Sequence, residues 1–206
     1  SKHYLIMSTK KGTVKKTELM AYSNPRRGGI VAITLDEKDE LINVELTDGS
    51  QQIMLATKDG LAVRFKESDV RSTGRSAQGV RGISLKGSDE VIGMELASDE
   101  KSLLSVTENG YGKRTPISEY RLINRGGSGV INIQCSERNG SVVSICSVSG
   151  NDDIIFISKN GIIIRVPASD ISVIGRNTQG VKIMKMEGSD KVVSAVKVPK
   201  ENNGSQ

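Results

Sequence analysis

A positively charged side chain recurs at one position in four similar segments of this chain. It lies four residues after a glycine that closes a short apolar run, and these glycines are spaced by about 50 residues. The cations are Lys16, Arg64, Arg114 and Arg165, and the glycines are Gly12, Gly60, Gly110 and Gly161. Because a repeated supersecondary unit stacks on its neighbours, a cation in each copy should recur around the assembled protein. Such an array favours binding to a polyanion.

A second cation recurs just before the glycine of a later loop. Arg75, Arg125 and Arg176 precede Gly79, Gly129 and Gly180 by four residues, and the shorter first loop offers Arg26 and Arg27 before Gly29. An arginine beside flexible glycines can bind phosphate through its planar fork while backbone N–H groups approach closely. Alternatively, these arginines bind carbonyl groups of the neighbouring copy and hold the loop. The first set of cations, which we call the strand cations, also has an alternative explanation. In this alternative they are ordinary solvent-facing residues of a strand that bind no ligand.

The predicted binding set also contains cations that flank these two positions. They are Lys15, Lys66, Arg71 and Lys113. Each copy begins with such basic residues and ends with acidic ones, as in Asp36 to Asp48 of the first copy. If the copies stack in one orientation, we expect a basic band and a separate acidic band.

The composition limits which classes of protein this chain can belong to. It has 206 residues, a net charge of +5 and a pI near 9.2, with 36% hydrophobic but only 3% aromatic residues. An aliphatic core of this kind suits packed sheets, and few aromatics remain to stack on single-stranded bases. No apolar run approaches the length of a membrane span. Without a leader sequence or an initiator Met, the chain reads as a piece of a longer intracellular protein.

No set of residues suits catalysis, a metal ion or a cofactor. The only histidine is His3, near the start of the chain, so no base is available for Cys135 or Cys146. We interpret these two cysteines as free thiols in the core. We therefore expect no catalytic residues, no metal site and no cofactor.

The order of strand and turn signals is the same in each copy. We divide the chain at 4–50, 51–100, 101–150 and 151–198, with a polar tail at 199–206. In the second copy, Ile53–Thr57 and Leu61–Phe65 flank a Lys-Asp-Gly turn, and Gly79–Leu85 and Val91–Leu96 follow as two more strands. The glycine accepts a positive φ, which favours a hairpin. Because no window sustains a helical stripe, four strands per copy predict an all-β, propeller-like fold of four blades.

Several strings in this sequence closely resemble the C-terminal domain of the bacterial DNA gyrase A subunit. The strings are Gly12 to Thr17, Val63 to Ser68, Gly110 to Thr115, Glu137 to Gly140 and Gly175 to Val181. The resemblance covers nearly the whole chain in order. It implies a β-pinwheel with strands exchanged between neighbouring blades, of which these four copies look like the last four of six.

The resemblance also implies a function and partners. The family wraps duplex DNA around a basic rim and supports ATP-dependent negative supercoiling by a type IIA topoisomerase, whose catalytic residues lie outside this domain. The implied partners are DNA, the rest of the gyrase A chain as a homodimer, and the gyrase B chain, in the cytoplasm at the nucleoid. The family's first-blade box, Gln-Arg-Arg-Gly-Gly-Lys-Gly, is absent, because Pro25 and Ile30-Val31 replace its ends. This absence argues against supercoil-generating wrapping by these four copies alone.

Two other interpretations remain open at this stage. One is the corresponding domain of topoisomerase IV, which shares the blade but usually matches these strings less well. The other is a propeller that binds protein partners rather than DNA, since an aliphatic propeller with a moderate net charge suits that role too.

Overall fold

The structure is a computed structural model that describes residues 2–198, so the predicted polar tail at 199–206 lies outside the described residues. In this described part, strands and short 3-10 turns are the regular elements. The strands are β1 (Tyr4–Thr9), β2 (Thr13–Glu18), β3 (Leu41–Thr47), β4 (Gln52–Thr57), β5 (Leu61–Lys66), β6 (Val80–Arg81), β7 (Val91–Ala97), β8 (Ser102–Thr107), β9 (Tyr111–Pro116), β10 (Val130–Ile131), β11 (Val142–Val148), β12 (Asp153–Ser158), β13 (Ile163–Pro167), β14 (Val181–Lys182) and β15 (Val192–Val198). The 3-10 turns are Leu19–Tyr22, Glu67–Asp69, Ile117–Glu119 and Ala168–Asp170.

The first two long strands of each copy form a hairpin around the turn glycine that the sequence indicates. Gly60, for example, has φ 89° and joins β4 to β5, with Leu55 opposite Val63 and Ile53 opposite Phe65. An L-residue with a Cβ rarely adopts this φ, which explains the glycine. The third long strand then pairs with the other edge of the first, as β7 does with β4.

Each of the first three sheets gains its fourth strand from the copy that follows. The sheet orders are β3-β1-β2-β6, β10-β5-β4-β7, β11-β8-β9-β14 and β13-β12-β15. In the first sheet, Val80 and Arg81 of the second copy pair with Val14 and Thr13. The predicted strand Gly79–Leu85 is therefore correct only at these two residues, and it belongs to the preceding copy's sheet. The last sheet has three strands in the described part of the chain.

The four antiparallel sheets confirm the predicted all-β fold with repeated blades. The chain divides into two compact units, the described residues of Ser1–Ala97 with Tyr120–Val130 and those of Ser98–Glu119 with Ile131–Gln206. The first unit packs aliphatic side chains such as Ile6, Leu55 and Val63 around Phe65. The second packs a similar core around Phe156. As expected, the cores consist mainly of Val, Ile, Leu and Met.

Candidate nucleic-acid interface

The loop arginines share one bond to the preceding copy. Each guanidinium donates a hydrogen bond from Nη1 to a main-chain carbonyl two residues after the loop glycine of that copy. The three bonds are Arg75 to Val31 (3.2 Å), Arg125 to Arg81 (3.1 Å) and Arg176 to Ile131 (2.9 Å). This bond agrees with the alternative interpretation, in which the loop arginines bind carbonyl groups of the neighbouring copy and hold the loop. A guanidinium has five N–H donors, so this bond by itself does not occupy the whole group, and all three residues are partly exposed.

The strand cations do not face solvent in the way the repeat predicts. Lys16 and Arg64 are only 7% and 5% exposed. The Lys16 ammonium donates to the Glu67 carbonyl at 3.2 Å and lies 5.2 Å from the centre of the Tyr4 ring. The Arg64 Nη1 donates to the Tyr120 carbonyl at 3.2 Å. The expectation that the strand cations recur around the assembled protein as an array for a polyanion is therefore wrong for these two residues.

The same position is less buried in the last two copies. Arg114 is half-buried, and its Nε donates to the Ile171 carbonyl at 2.9 Å. Its burial lowers the pKa of its guanidinium below the usual value. Arg165 is exposed and pairs with Asp153 at 2.6 Å. The first three strand cations thus bind carbonyls of the following copy, which is a structural role.

Lys15 and Lys113, also predicted to contact a ligand, are buried. They are 1% and 0% exposed, and each ammonium donates to two main-chain carbonyls. Burial is the main cause that lowers the pKa of both lysines, because removal from water disfavours the charged form. The pKa of Lys113 falls to about 8, with the nearby Arg176 lowering it further and Glu119 opposing the shift. Neither ammonium is accessible to a macromolecule.

The remaining predicted cations are exposed. Arg26, Arg27, Lys66 and Arg71 lie on the surface of the first unit. Arg26 and Arg75 line an open cavity of about 410 Å³, together with Gly29, Ile30, Val31 and Ser76. No carboxylate contributes to this lining, and Gly29 presents main chain without a side chain. The cavity has the size and charge to hold a phosphate group.

Further exposed cations lie outside the predicted binding set. They include Arg81, Arg121, Arg138 and Lys182. Arg121 lies eight residues before its loop glycine, as Arg71 does, so the repeat itself could have revealed it. Arg138 and Lys182 lie 5.1 and 5.3 Å from the centre of the Tyr111 ring. A hydrogen bond from Arg138 is the main cause that lowers the pKa of Tyr111, which indicates a positive local potential.

Within residues 2–198, no group of three or more His, Cys, Asp or Glu side chains could hold a metal ion. Among the same residues, no helix is long and apolar enough to span a membrane.

Comparison with known families matches all four copies to one domain family. The model of the family described as DNA gyrase C-terminal domain, beta-propeller, matches residues 3–48, 51–98, 101–148 and 152–199. The chain belongs to this family.

Similar proteins named as the A subunit of DNA gyrase occur in several organisms. Identity is 56% to that of Halalkalibacterium halodurans over 98% of this chain, and 43% to that of Escherichia coli over 94%. The chain spans only 24% and 22% of the length of these relatives.

Two solved structures are similar to the gyrase C-terminal domain described here. A DNA gyrase A C-terminal domain has a TM-score of 0.87 at 30% identity, covering 95% of this chain and 66% of that one. A DNA topoisomerase IV C-terminal domain has a TM-score of 0.91 at 29% identity, covering 96% and 62%. The two domains are thus alike in shape, and the matched family model and the identities of 56% and 43% to gyrase A subunits favour gyrase over topoisomerase IV.

The structural role of the strand cations predicts a loss of stability when Arg64 is replaced. Arg64→Met removes the donors that bind Tyr120 O and the Gln52 side chain at 2.8 Å, so both acceptors lose these hydrogen bonds. We expect the free energy of unfolding to fall by about 2 kcal/mol, measured by denaturant titration. Lys66→Met in the same strand is the control and should change it by less than about 0.5 kcal/mol. Equal effects of the two substitutions would contradict the structural role.

The lowered pKa of Lys113 predicts a pH dependence of stability. Between pH 8 and 10.5 the unfolded chain binds more protons at this residue than the folded gyrase C-terminal domain does. The unfolding free energy of the wild type should therefore rise with pH in this range, by about 2 kcal/mol relative to Lys113→Met. Below pH 8 the difference should be constant. Parallel stability profiles of the two proteins from pH 7 to 10.5 would refute the shift.

Proposed function

We propose that this chain binds and bends duplex DNA without reading its base sequence. Arginine and lysine side chains neutralise phosphate groups, and release of counterions from the DNA supplies most of the affinity. The observation that carries the proposal is the group of exposed arginines in the loops of the first unit, Arg26, Arg27 and Arg71. Within the described residues these three guanidinium groups have no hydrogen bond or ion pair that would occupy them.

Only some of the cations predicted from the sequence to contact the ligand can reach a phosphate. Buried lysines and arginines that already donate to carbonyls cannot reach a phosphate without breaking those bonds. We therefore assign phosphate contacts to the exposed or partly exposed members, Arg26, Arg27, Lys66, Arg71, Arg75, Arg125, Arg165 and Arg176, and add Arg81, Arg121, Arg138 and Lys182. Lys15, Lys16, Arg64, Lys113 and Arg114 hold blades and loops in place.

Duplex DNA is a better candidate than single-stranded nucleic acid. Single-strand binders stack bases on aromatic side chains, and this chain has no Trp, two Phe and four Tyr. Phe65 and Phe156 are in the cores, and Tyr111 and Tyr120 are buried. Few rings are thus available for stacking, whereas exposed cations suit a regular phosphate backbone.

The family membership extends this proposal to a larger assembly. We propose that the chain acts in the cytoplasm as part of the DNA gyrase A chain, with a second copy of that chain and with the gyrase B chain. In that assembly it would present a bent duplex to the catalytic parts, which would introduce negative supercoils with ATP. The chain itself would take no part in the chemistry and would need no cofactor.

Sealing nicked DNA circles in the presence of this protein tests the proposal. If the protein bends DNA along a chiral path, the mean linking number should shift in proportion to protein bound, and the shift should disappear at high salt. Binding in a mobility-shift titration without any shift in linking number would refute chiral bending by these four copies alone, in line with the absent first-blade box, and would leave duplex binding in place. Absence of binding at low salt would favour the propeller that binds protein partners.

A further inference from the structure

Two lysines in this domain have fully buried ammonium groups that bind only main chain among the described contacts. Lys15 donates to the carbonyls of Ala32 at 2.6 Å and Arg75 at 2.5 Å. Lys113 donates to those of Gly175 at 2.6 Å and Arg176 at 2.5 Å. A buried ammonium is tolerated only where such acceptors replace water. The charge also makes these hydrogen bonds stronger than neutral ones.

The two lysines are equivalent in the repeat, and so is one of the two residues that each of them binds. Each lysine lies three residues after its turn glycine, and each reaches the loop arginine of the next copy. The bound arginine is in turn fixed through its side chain, since Arg75 Nη1 donates to Val31 O and Arg176 Nη1 to Ile131 O. In these two loops a buried lysine therefore holds the main chain of the loop arginine.

The remaining blades show that the sheet does not need a lysine here. Val63 and Ile164 occupy the equivalent positions in the second and fourth copies, and Val63 packs in the core. The loop arginine of the copy after Val63 is held by a different contact. This arginine, Arg125, donates from Nε to the Asp69 carbonyl at 2.8 Å as well as from Nη1 to Arg81 O. Arg75, held by Lys15, makes only the Val31 bond among the described residues, so its Nε edge stays available.

We propose that Lys15 and Lys113 are positioning residues for phosphate binding, which fix the main chain of Arg75 and Arg176 so that these guanidinium groups face the DNA backbone. The inference rests on the proposed binding of duplex DNA. A loop held before the ligand arrives loses less conformational freedom on binding, so a buried ammonium can raise affinity without touching DNA. The charged groups that face Lys113 are Glu119 and Arg176, and Arg75 faces Lys15.

Amide hydrogen exchange without DNA provides the first test. In Lys113→Met, exchange in the segment from Gly175 to Gln179 should be at least ten-fold faster than in the wild type. Val63→Met, the same new side chain at the equivalent position of the second copy, is the control and should leave exchange around Arg125 unchanged. Unchanged exchange in Lys113→Met would overturn the inference. If Lys113→Met does not fold, Lys15→Met with the segment around Arg75 gives the same test.

A double-mutant cycle on duplex affinity provides the second test and separates positioning from a general loss of stability. Arg176→Gln should weaken binding of a random-sequence duplex about five-fold in the wild type, but less than two-fold in Lys113→Met. Additive losses would overturn the inference while leaving DNA binding in place. If the wild type itself does not bind the duplex, the proposed function fails, and the inference fails with it.

Discussion

Replacement of Arg26, Arg27 and Arg71 by glutamine should weaken binding of a random-sequence duplex about 100-fold at roughly 0.1 M salt. All three side chains are exposed, and Arg26 lines the cavity that also contains Arg75. Each lost phosphate contact removes about 1 kcal/mol, and 1.4 kcal/mol corresponds to a factor of ten in affinity. The fold should be unaffected, because no hydrogen bond of the described structure involves these side chains. Titration by fluorescence anisotropy measures the effect.

The control for this prediction removes the same charge from another part of the first unit. Lys38, Lys58 and Lys86 are exposed and precede acidic residues of their copies, and Lys58 pairs with Glu90 at 3.4 Å. Their replacement by glutamine should weaken binding less than three-fold. If the two triple variants lose affinity equally, net charge rather than the loop arginines governs binding.

Gly110→Ala should be more destabilising than the same substitution at the turn glycines Gly12 and Gly161. Gly110 has φ +82°, and a Cβ there would lie 2.1 Å from the Met184 carbonyl oxygen. Met184 lies just after β14, and we call residues 181–184 the exchanged segment. This oxygen is main chain, and Ile183 N and Met184 N both donate to Gly110 O, so the segment cannot move aside. We expect the free energy of unfolding to fall by more than about 4 kcal/mol, a value reached only where packing or backbone geometry fails.

The equivalent glycine of the last copy gives a matched control. Gly161 has φ +85°, but nothing lies within 4 Å of a Cβ built on it. In Gly161→Ala the free energy of unfolding should therefore fall by only about 1 kcal/mol, the cost of placing an alanine at this positive φ. Thermal unfolding of the two variants separates turn strain from the close approach of the exchanged segment. Equal losses would show that the exchanged segment does not pack on the turn in this way.

The sequence was sufficient to predict the hairpins, because their cause is local. Turn glycines such as Gly60 and Gly110 allow a positive φ, and the apolar runs on either side have strand composition. Strand exchange has no local cause. Val80 and Arg81 form a strand only because an edge of another copy's sheet is available to them, so periodicity overestimated the strand at Gly79–Leu85.

The burial of the strand cations could not be predicted from the strand pattern. Alternation assigns Val14 and Lys16 to one face of β2, but it does not show whether water or another sheet covers that face. When sheets stack, both faces of a strand can be covered, and a polar residue is tolerated where acceptors such as Glu67 O are present. The loop cations were easier to predict, because loops between copies generally remain at the surface.

The salt dependence of duplex binding tests most directly whether the exposed loop arginines contact phosphate. The logarithm of the association constant should fall linearly with the logarithm of salt concentration, with a slope of about −0.9 per phosphate contact. For the variant lacking Arg26, Arg27 and Arg71 the slope should be shallower by about 2.7 than that of the wild type. For the control variant lacking Lys38, Lys58 and Lys86 the slope should equal that of the wild type. A variant slope equal to that of the wild type would contradict the assignment of phosphate contacts to these arginines.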